Sequence, residues 1–308
     1  MQKIKNIIWA LDPFSENNGS FERVKETVAV LQKKSRCEVQ PVYVLGSDNL
    51  EWIGHVMPPQ LEKFKEISLT QLKLLVEKTG IPTKEPVVIT NSKSSRRADV
   101  AQLMEFVEGQ NGDLLVMNTH AREGVSRLFI GSFAESVLTK STVPLLLVNP
   151  HVQPVKDLEV ALFSTDFSKF SQKALGYFVS QMQGFLKKLI LFNEIPHPID
   201  AFVQAGVATA GGGWVSVEQF IQEESEERKK MAEKMVAAIP NEVETEIEID
   251  DSPGPIVESV LRVARQKSVH WLALSAESGD FSSFTLGSIA RSIIRHSEWP
   301  VWVDYRPE

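Results

Sequence analysis

The chain has 308 residues, with 33 Lys and Arg against 40 Asp and Glu, giving a net charge of −7 and a pI near 5.5. At roughly 150 residues per domain this is about two domains, and 43% hydrophobic with 24% charged residues excludes a disordered chain. The mild acidity argues against a nucleic-acid partner, which usually calls for a basic patch or a high pI. The one cysteine, Cys37, excludes an intramolecular disulfide and fits a reducing compartment. The opening MQKIKNIIWALDPF has no leader-like apolar core, and no run of 18 apolar residues is present. A cytoplasmic protein with no membrane partner is therefore expected.

In chain order, Ile4–Leu11 is a short apolar run that reads as a buried strand. Phe21, Val24, Val28 and Leu31 follow at spacings of 3, 4 and 3, a helical stripe over Ser20–Lys34. Glu38–Leu45 reads as a strand and Pro58–Thr79 as a helix burying Leu61, Phe64, Ile67, Leu72 and Val76. Then come strand Glu85–Thr90, helix Ala98–Glu108, strand Asp113–Asn118, helix Ser132–Lys140 and strand Val143–Val148. NPHVQPVKD, residues 149–157, has two prolines and mixed polarity and reads as a linker. Beyond it the order repeats. Strands are expected at Glu159–Ser164, Lys188–Asn193, Glu244–Ile249, Val269–Ser275 and Pro300–Asp304. Helices are expected at Ser171–Phe185, Val217–Ala238, Pro255–Gln266 and Ser288–His296.

The repeat is also visible in single residues. Asp12 and Asp166 are 154 apart, while Gly131 and Gly287, like Pro144 and Pro300, are 156 apart. One domain duplicated in tandem accounts for this, with copies at 1–150 and 157–308. Nearly continuous apolar strands separated by helices indicate a parallel sheet covered on both faces.

In such sheets ligands bind beyond the carboxyl ends of the strands, where the strand order reverses. Three segments per half qualify. The first is the turn holding Asp12 or Asp166. The second is the end of the second strand, near Val44 or Asn193. The third is the loop after the fourth strand. In the first half it contains Asn118, His120 and Ala121 and ends at Gly131-Ser132; in the second it contains Ser275 and Ser278 and ends at Gly287-Ser288. The loop leads into a helix N-terminus, where free N–H groups favour an anion. Ser132 and Glu135 also make an S-x-x-E capping box, and a bland reading keeps both aspartates as turn or cap residues.

This arrangement resembles the universal stress protein family. The family's loop follows Gly-x-x-Gly, nine residues, Gly-Ser/Thr, and its nucleotide-binding members hold ATP there. The first half keeps the spacing with Asn118 and Ala121 in place of the two leading glycines. The second half keeps the first turn, Ser164-Thr165-Asp166-Phe167-Ser168, but puts Glu277 and Asp280 where phosphates would lie. The resemblance implies that Asp12 and Asp166 contact the adenosine part, and that the backbone at Val44, with Asn193 as its counterpart, meets adenine. It also implies strand order 3-2-1-4-5 in each half and pairing of last strands across a dimer interface. Val143–Val148 and Pro300–Asp304 would then pair within one chain as a pseudo-dimer, with a homodimer of chains left open.

Other features are weaker. The six histidines, His55, His120, His151, His197, His270 and His296, form no metal-ligand pair, and no nucleophile–base motif is seen, so neither a metal site nor a catalytic residue is assigned. Residues 201–217, with a Gly-Gly-Gly run, read first as a flexible loop, with a lid or an apolar surface for a ligand or partner as the sharper alternative. Glu223–Lys234 reads as a solvated helix with pairs such as Glu226 with Lys230. Lys93, Arg96, Arg97 and Arg122 read as a solvated loop first and as a candidate basic rim on the first half second. The expectation is two α/β domains of the adenine-nucleotide α-hydrolase type. The resemblance implies a stress-response protein that acts by nucleotide or small-ligand binding and protein interaction rather than by catalysis, with ATP or another adenine nucleotide as the expected ligand, the first half being the better site, and Mg entering only alongside the nucleotide. The alternatives are an interaction protein without nucleotide, or a slow ATPase.

Overall fold

The computed structural model describes residues 4–14, 19–46, 58–91, 95–119, 130–195, 207–208, 214–215, 217–275 and 287–304. The first copy runs β1 (Asn6–Ala10), α1 (Gly19–Ser35), β2 (Glu38–Leu45), α2 (Pro58–Thr79), β3 (Val87–Thr90), α3 (Arg96–Gly109), β4 (Leu114–Asn118), α4 (Ser132–Leu138) and β5 (Leu145–Val148). The second runs β6 (Val160–Ser164), α5 (Lys169–Gln181), β7 (Lys188–Glu194), the short β8 (Val207–Ala208) and β9 (Trp214–Val215), and α6 (Val217–Val236). It ends with β10 (Glu244–Asp250), α7 (Ile256–Gln266), β11 (Trp271–Ser275), α8 (Ser288–His296) and β12 (Val301–Asp304).

Ten strands form one sheet in the order β10-β7-β6-β11-β12-β5-β4-β1-β2-β3. Each half is thus 3-2-1-4-5, with every pair inside a half parallel. The join is antiparallel, with Val301 opposite Leu147, Trp302 opposite Leu146 and Val303 opposite Leu145. The expected intramolecular pseudo-dimer is therefore present. Because the join is antiparallel, the carboxyl ends of the two halves' strands open on opposite edges of the sheet. It also sets the end of β5 beside the N-terminal ends of the second half, which is why a short linker suffices.

Alternating strand positions feed two cores, one on each face. On one face Trp9, Trp271 and Trp302 are fully buried with the Val24, Val28 and Leu31 stripe of α1. Phe178 of α5 packs its ring 5.1 Å from that of Trp271 and 5.6 Å from that of Trp302. On the other face α3, α4, α7 and α8 cover Leu115, Leu147, Leu272 and Val303. Each such fully buried side chain contributes about 1.5–3 kcal/mol relative to exposure. In α2 the buried stripe is Ser68, Leu72, Leu75 and Val76, and Ile67 is exposed. Ile67 lies one residue, about 100°, off that stripe, so its expected burial is corrected. On α6 the ion pair is Glu224 with Arg228 at 2.9 Å. Glu226 instead accepts from Gln222, so the expected pairing with Lys230 is not the one formed. Within 201–217, Val207–Ala208 pairs antiparallel with Trp214–Val215, a two-stranded ribbon where a plain loop was expected.

The linker is packed rather than slack. Val152, Val155 and Leu158 are buried. Asn149 Nδ2 donates to the Ile294 and Ser297 carbonyls, both at 2.8 Å, and the Val155 N–H donates to Glu26 Oε2 at 3.0 Å. Lys34 of α1 pairs with Asp157 at 3.0 Å and Glu159 at 2.5 Å. His270 Nδ1 accepts the Glu159 and Val160 N–H groups, each at 3.1 Å, so the ring must be unprotonated there.

The duplication extends to hydrogen bonds. Ser141 and Ser297 are both buried, and each bonds the residue two places on: Ser141 Oγ to the Val143 carbonyl at 2.5 Å, Ser297 Oγ to the Trp299 carbonyl at 2.7 Å. Across the pseudo-twofold, however, the copies differ. Arg291 Nε lies 3.2 Å from Glu135 Oε1 as an ion pair without hydrogen-bond alignment, and these two residues occupy the same position of α8 and α4, 156 apart.

Reversing one charge, Glu135→Arg or Arg291→Glu, lowers stability, and the double swap restores it. At their one-third exposure the coupling is no more than about 1 kcal/mol, read from a double-mutant cycle in urea. Burial holds the His270 pKa below its ordinary 6.5, against Asp157 and Glu159, which raise it, and alongside Lys34, which lowers it. The unfolded chain then binds the proton more readily, so this contribution is fully present above pH 6.5 and is lost as the pH falls from there to the lowered folded value. Urea midpoints measured down to about pH 5.5 should fall less steeply for His270→Gln than for the wild type.

Candidate functional site

The carboxyl ends of β1 and β6 turn in the same way. Asp12 Oδ1 accepts the Phe14 N–H at 3.0 Å, and Asp166 Oδ1 accepts the Ser168 N–H at 3.0 Å. Both aspartates therefore hold a turn. In the second half the turn is tighter still: Phe167 sits at φ 61°, its N–H bonds Thr165 Oγ1 at 2.9 Å, and Ser168 caps α5 by accepting from the Ser171 N–H.

Register corrects one expectation. The Leu11 N–H donates to the Val42 carbonyl and the Thr165 N–H to the Phe192 carbonyl, both at 2.9 Å. Val42 thus matches Phe192, and Val44 matches Glu194, not Asn193, which matches Tyr43. Asn193 faces the other side of the sheet, where its Nδ2 donates to the Thr165 carbonyl at 2.7 Å and its Oδ1 accepts from Arg228 Nη1 at 2.7 Å. It ties the first turn to α6. Arg228 had no signal in the sequence beyond being one charge in a charged run.

Gly131 stands at the start of α4, and its N–H donates to the Thr119 carbonyl at 2.8 Å. Its φ of −57° needs no glycine. The bare Cα is needed because a Cβ would lie 2.8 Å from that carbonyl oxygen. Gly131 is itself the N-cap, with no side-chain cap bond. The expected Ser132–Glu135 capping box is therefore not formed: Ser132 is already helical, and Glu135 faces Arg291 across the join. Gly287 and Ser288 occupy the same places at α8. His120, Ala121 and Ser278 lie outside the described residues, as do Lys93, Arg122, Glu277 and Asp280. Arg96 and Arg97 open α3 at the end of β3. A residue the sequence reading passed over, Asp99, is buried there. Asn91 Nδ2 bonds its Oδ1 at 3.0 Å, and a Cβ at Gly46 would come 2.6 Å from its Oδ2. This carboxylate fixes the ends of β2 and β3 together.

In the second half the strand-order reversal, between β6 and β11, holds a cavity of about 120 Å³. Ser164, Thr165, Asp166, Ser171, Ser275 and Ser288 form its polar wall. Ile256, Leu274, Ile289, Ala290 and Ile293 form its apolar wall. Four sequence-derived candidates, Asp166, Ser275, Gly287 and Ser288, thus line one crevice. In the first half Asp12, Asn118, Gly131 and Ser132 occupy the corresponding positions, while Val44 packs against the core on its face.

The ladders also align the strand ends of the two halves. Val44 pairs with Ile89, and Glu194 with Asp250. Asn118 pairs with Val148, and Ser275 with Asp304. Val44, Ile89 and Val148 of the first half thus correspond to Glu194, Asp250 and Asp304 of the second. Burial raises the Asp250 carboxyl pKa, but hydrogen bonds from Arg262, Ser259 and Ser252 outweigh it and leave a net lowering, so Asp250 is charged. Among the described residues no group of three or more His, Cys, Asp or Glu could hold a metal ion, and no helix is long and apolar enough to cross a membrane.

The sequence pattern of the universal stress protein family matches residues 3–149 and again 159–304. The chain belongs to the universal stress protein family. A universal stress protein of Methanocaldococcus jannaschii, MJ0531, is 25% identical over 136 residues, 44% of this chain and 78% of that protein. Among solved structures, a universal stress protein from Archaeoglobus fulgidus DSM 4304 aligns over 99% of this chain and 97% of its own, with TM-score 0.58 and 19% identity. A functionally unknown protein, PA1789 of Pseudomonas aeruginosa PAO1, aligns over 97% and 92%, with TM-score 0.57 and 11% identity. At these identities the two structures speak for the fold, which is that of tandem universal stress protein domains.

Gly131→Ala is expected to destabilise the protein by about 1–3 kcal/mol, because backbone must move to admit the methyl group. Gly109→Ala, where a Cβ would meet nothing within 4 Å, is the control. Thermal melts of the two variants separate a general glycine effect from this close contact.

Proposed function

We propose that this universal stress protein acts in the cytoplasm as a stress-response factor that binds an adenine nucleotide, in the first half, and works by binding and protein interaction rather than by catalysis. The observation that carries the reading is the charge contrast between two otherwise matching sets of strand ends. The first half brings Asp12, Asn118 and the Gly131-Ser132 pair to the carboxyl ends of its strands, with neutral Val44, Ile89 and Val148 around them, Asp99 buried against the ends of β2 and β3, and Arg96 and Arg97 at the rim. A polyanion is attracted to such an edge. The second half presents carboxylates at the same three places, which repel it. The Asp12 carboxylate is suited to a ribose hydroxyl, a charge-assisted bond stronger than a neutral one. Magnesium would enter only with the nucleotide, held by its phosphates.

Equilibrium dialysis with labelled ATP tests this. One ATP per chain is expected, and Asp12→Asn, which keeps an acceptor for the Phe14 N–H but removes the charge, should weaken binding about tenfold, or ~1.4 kcal/mol. Absence of binding at millimolar ATP removes the nucleotide from the reading.

A further inference from the structure

We propose that a groove between α5 and the end of α6, in the helical layer of the second half, binds a medium-chain aliphatic carboxylate. Its lining contains no residue of a strand and none of the crevice at Asp166, so the proposal stands apart from the nucleotide reading. The groove has a volume of about 290 Å³ and is open to solvent, just under the roughly 300–1,000 Å³ of ordinary small-molecule sites. Leu175, Val179, Met235, Ile239 and Pro240 make it apolar. The first three are buried and form its floor. Methionine is a flexible side chain, but Thr165 Oγ1 donates to Met235 Sδ at 3.7 Å and ties it to the end of β6.

The groove is particular to the second half. The buried stripe of α5, Ser171, Ala174, Phe178 and Gln181, repeats that of α1, Phe21, Val24, Val28 and Leu31, each residue 150 places on. Gly176 therefore stands where α1 has Glu26, and Leu175 where α1 has Lys25. Glu26 is a long side chain engaged by Arg23 and by the Val155 N–H. At Gly176 there is no side chain, and a Cβ would meet nothing within 4 Å. Glycine inside a helix weakens it, and here its bare Cα opens the groove.

Charge names the head group. Lys234 is the one charged residue in the lining, and among the described residues it has no ion-pair partner. Two other lining donors are already engaged close by: Gln172 Nε2 bonds the Phe167 carbonyl at 3.0 Å and Ser180 Oγ the Tyr177 carbonyl at 2.7 Å. A lysine lays its stem along apolar surface and keeps its ammonium at the water boundary. An apolar floor with one cation at its margin matches an aliphatic chain with one anionic end. The carboxylate takes a charge-assisted bond from Lys234, and the methylenes cover Leu175, Val179 and Met235. A nucleotide, with several charges and a polar base, does not match this lining.

Calorimetric titration of the full chain with hexanoate, octanoate and decanoate at neutral pH, each below its micellar range, tests the proposal. One site per chain is expected, with affinity rising about twofold or more per added methylene, against about fourfold for one fully buried. Octanol, the same chain without the charge, should bind about fivefold or more weaker than octanoate, and Lys234→Gln should remove most of that difference. Gly176→Leu fills the groove from α5 and puts a good helix former in place of a poor one. It should weaken decanoate by about tenfold or more without lowering the melting temperature. Ala238→Phe, at an exposed position on the opposite wall, should weaken it in the same direction and serves if Gly176→Leu does not fold. The proposal is overturned if decanoate does not saturate by about 2 mM. It is also overturned if both groove variants bind decanoate unchanged, as adsorption elsewhere would give, or if Lys234→Gln keeps the preference for the acid. Failure of ATP to bind anywhere would sink the first-half reading and leave this readout intact.

Discussion

Three residue pairs between β5 and β12 hold the architecture together. Each half's sheet would otherwise end in a short, wholly buried-type strand, LLLV or VWVD, whose open hydrogen-bonding edge invites pairing with another chain. Joining the two edges inside one molecule removes both. It also fixes the pseudo-twofold, sets the carboxyl ends of the two halves' strands on opposite sides, and brings α4 against α8. The packed linker and the merged core around Trp271 and Trp302 depend on that geometry.

Duplication frees the two copies to diverge where symmetry would forbid it. Two identical chains would place Glu135 against Glu135, or Arg291 against Arg291, across the twofold. A tandem chain can carry one of each. The same freedom acts at the carboxyl ends of the strands. Three apolar strand ends in one copy are three carboxylates in the other, on a backbone whose hydrogen bonds are otherwise repeated, down to the aspartate turns and the buried serines Ser141 and Ser297. Stability fixes the shared parts, and the copies differ in charge at the strand ends, on or next to the last rungs of their ladders.

Local motifs were legible to the extent that they depend on neighbours in the chain. The aspartate turns close on residues two places on, so Asp12 and Asp166 were readable as turn residues. The S-x-x-E at Ser132 has the same local look, yet its glutamate is drawn to Arg291, more than 150 residues away, and the box does not form. Asn193 was placed one position out because the distance between strands in sequence varies, with helices and loops of unequal length. The β1–β2 and β6–β7 ladders, continued by the hydrogen bonds of Leu11 and Thr165, set the true register. Ile67 was misread for a related reason: α2 is apolar on more than one side, and which side is buried depends on the sheet beneath it.

By itself the sequence determined the fold class, the duplication near residue 150, the helix and strand order and the segments that reach the carboxyl ends of the sheet's strands. These rest on periodicity and turn chemistry, which act within a few residues. Tertiary structure alone decided that the linker is packed and that Gly131 is required by a carbonyl rather than by its own dihedral angles. It also decided that Val44, Ile89 and Val148 stand level with Glu194, Asp250 and Asp304. That last contrast depends on which residues become neighbours across strands, and a one-residue slip in register would hide it.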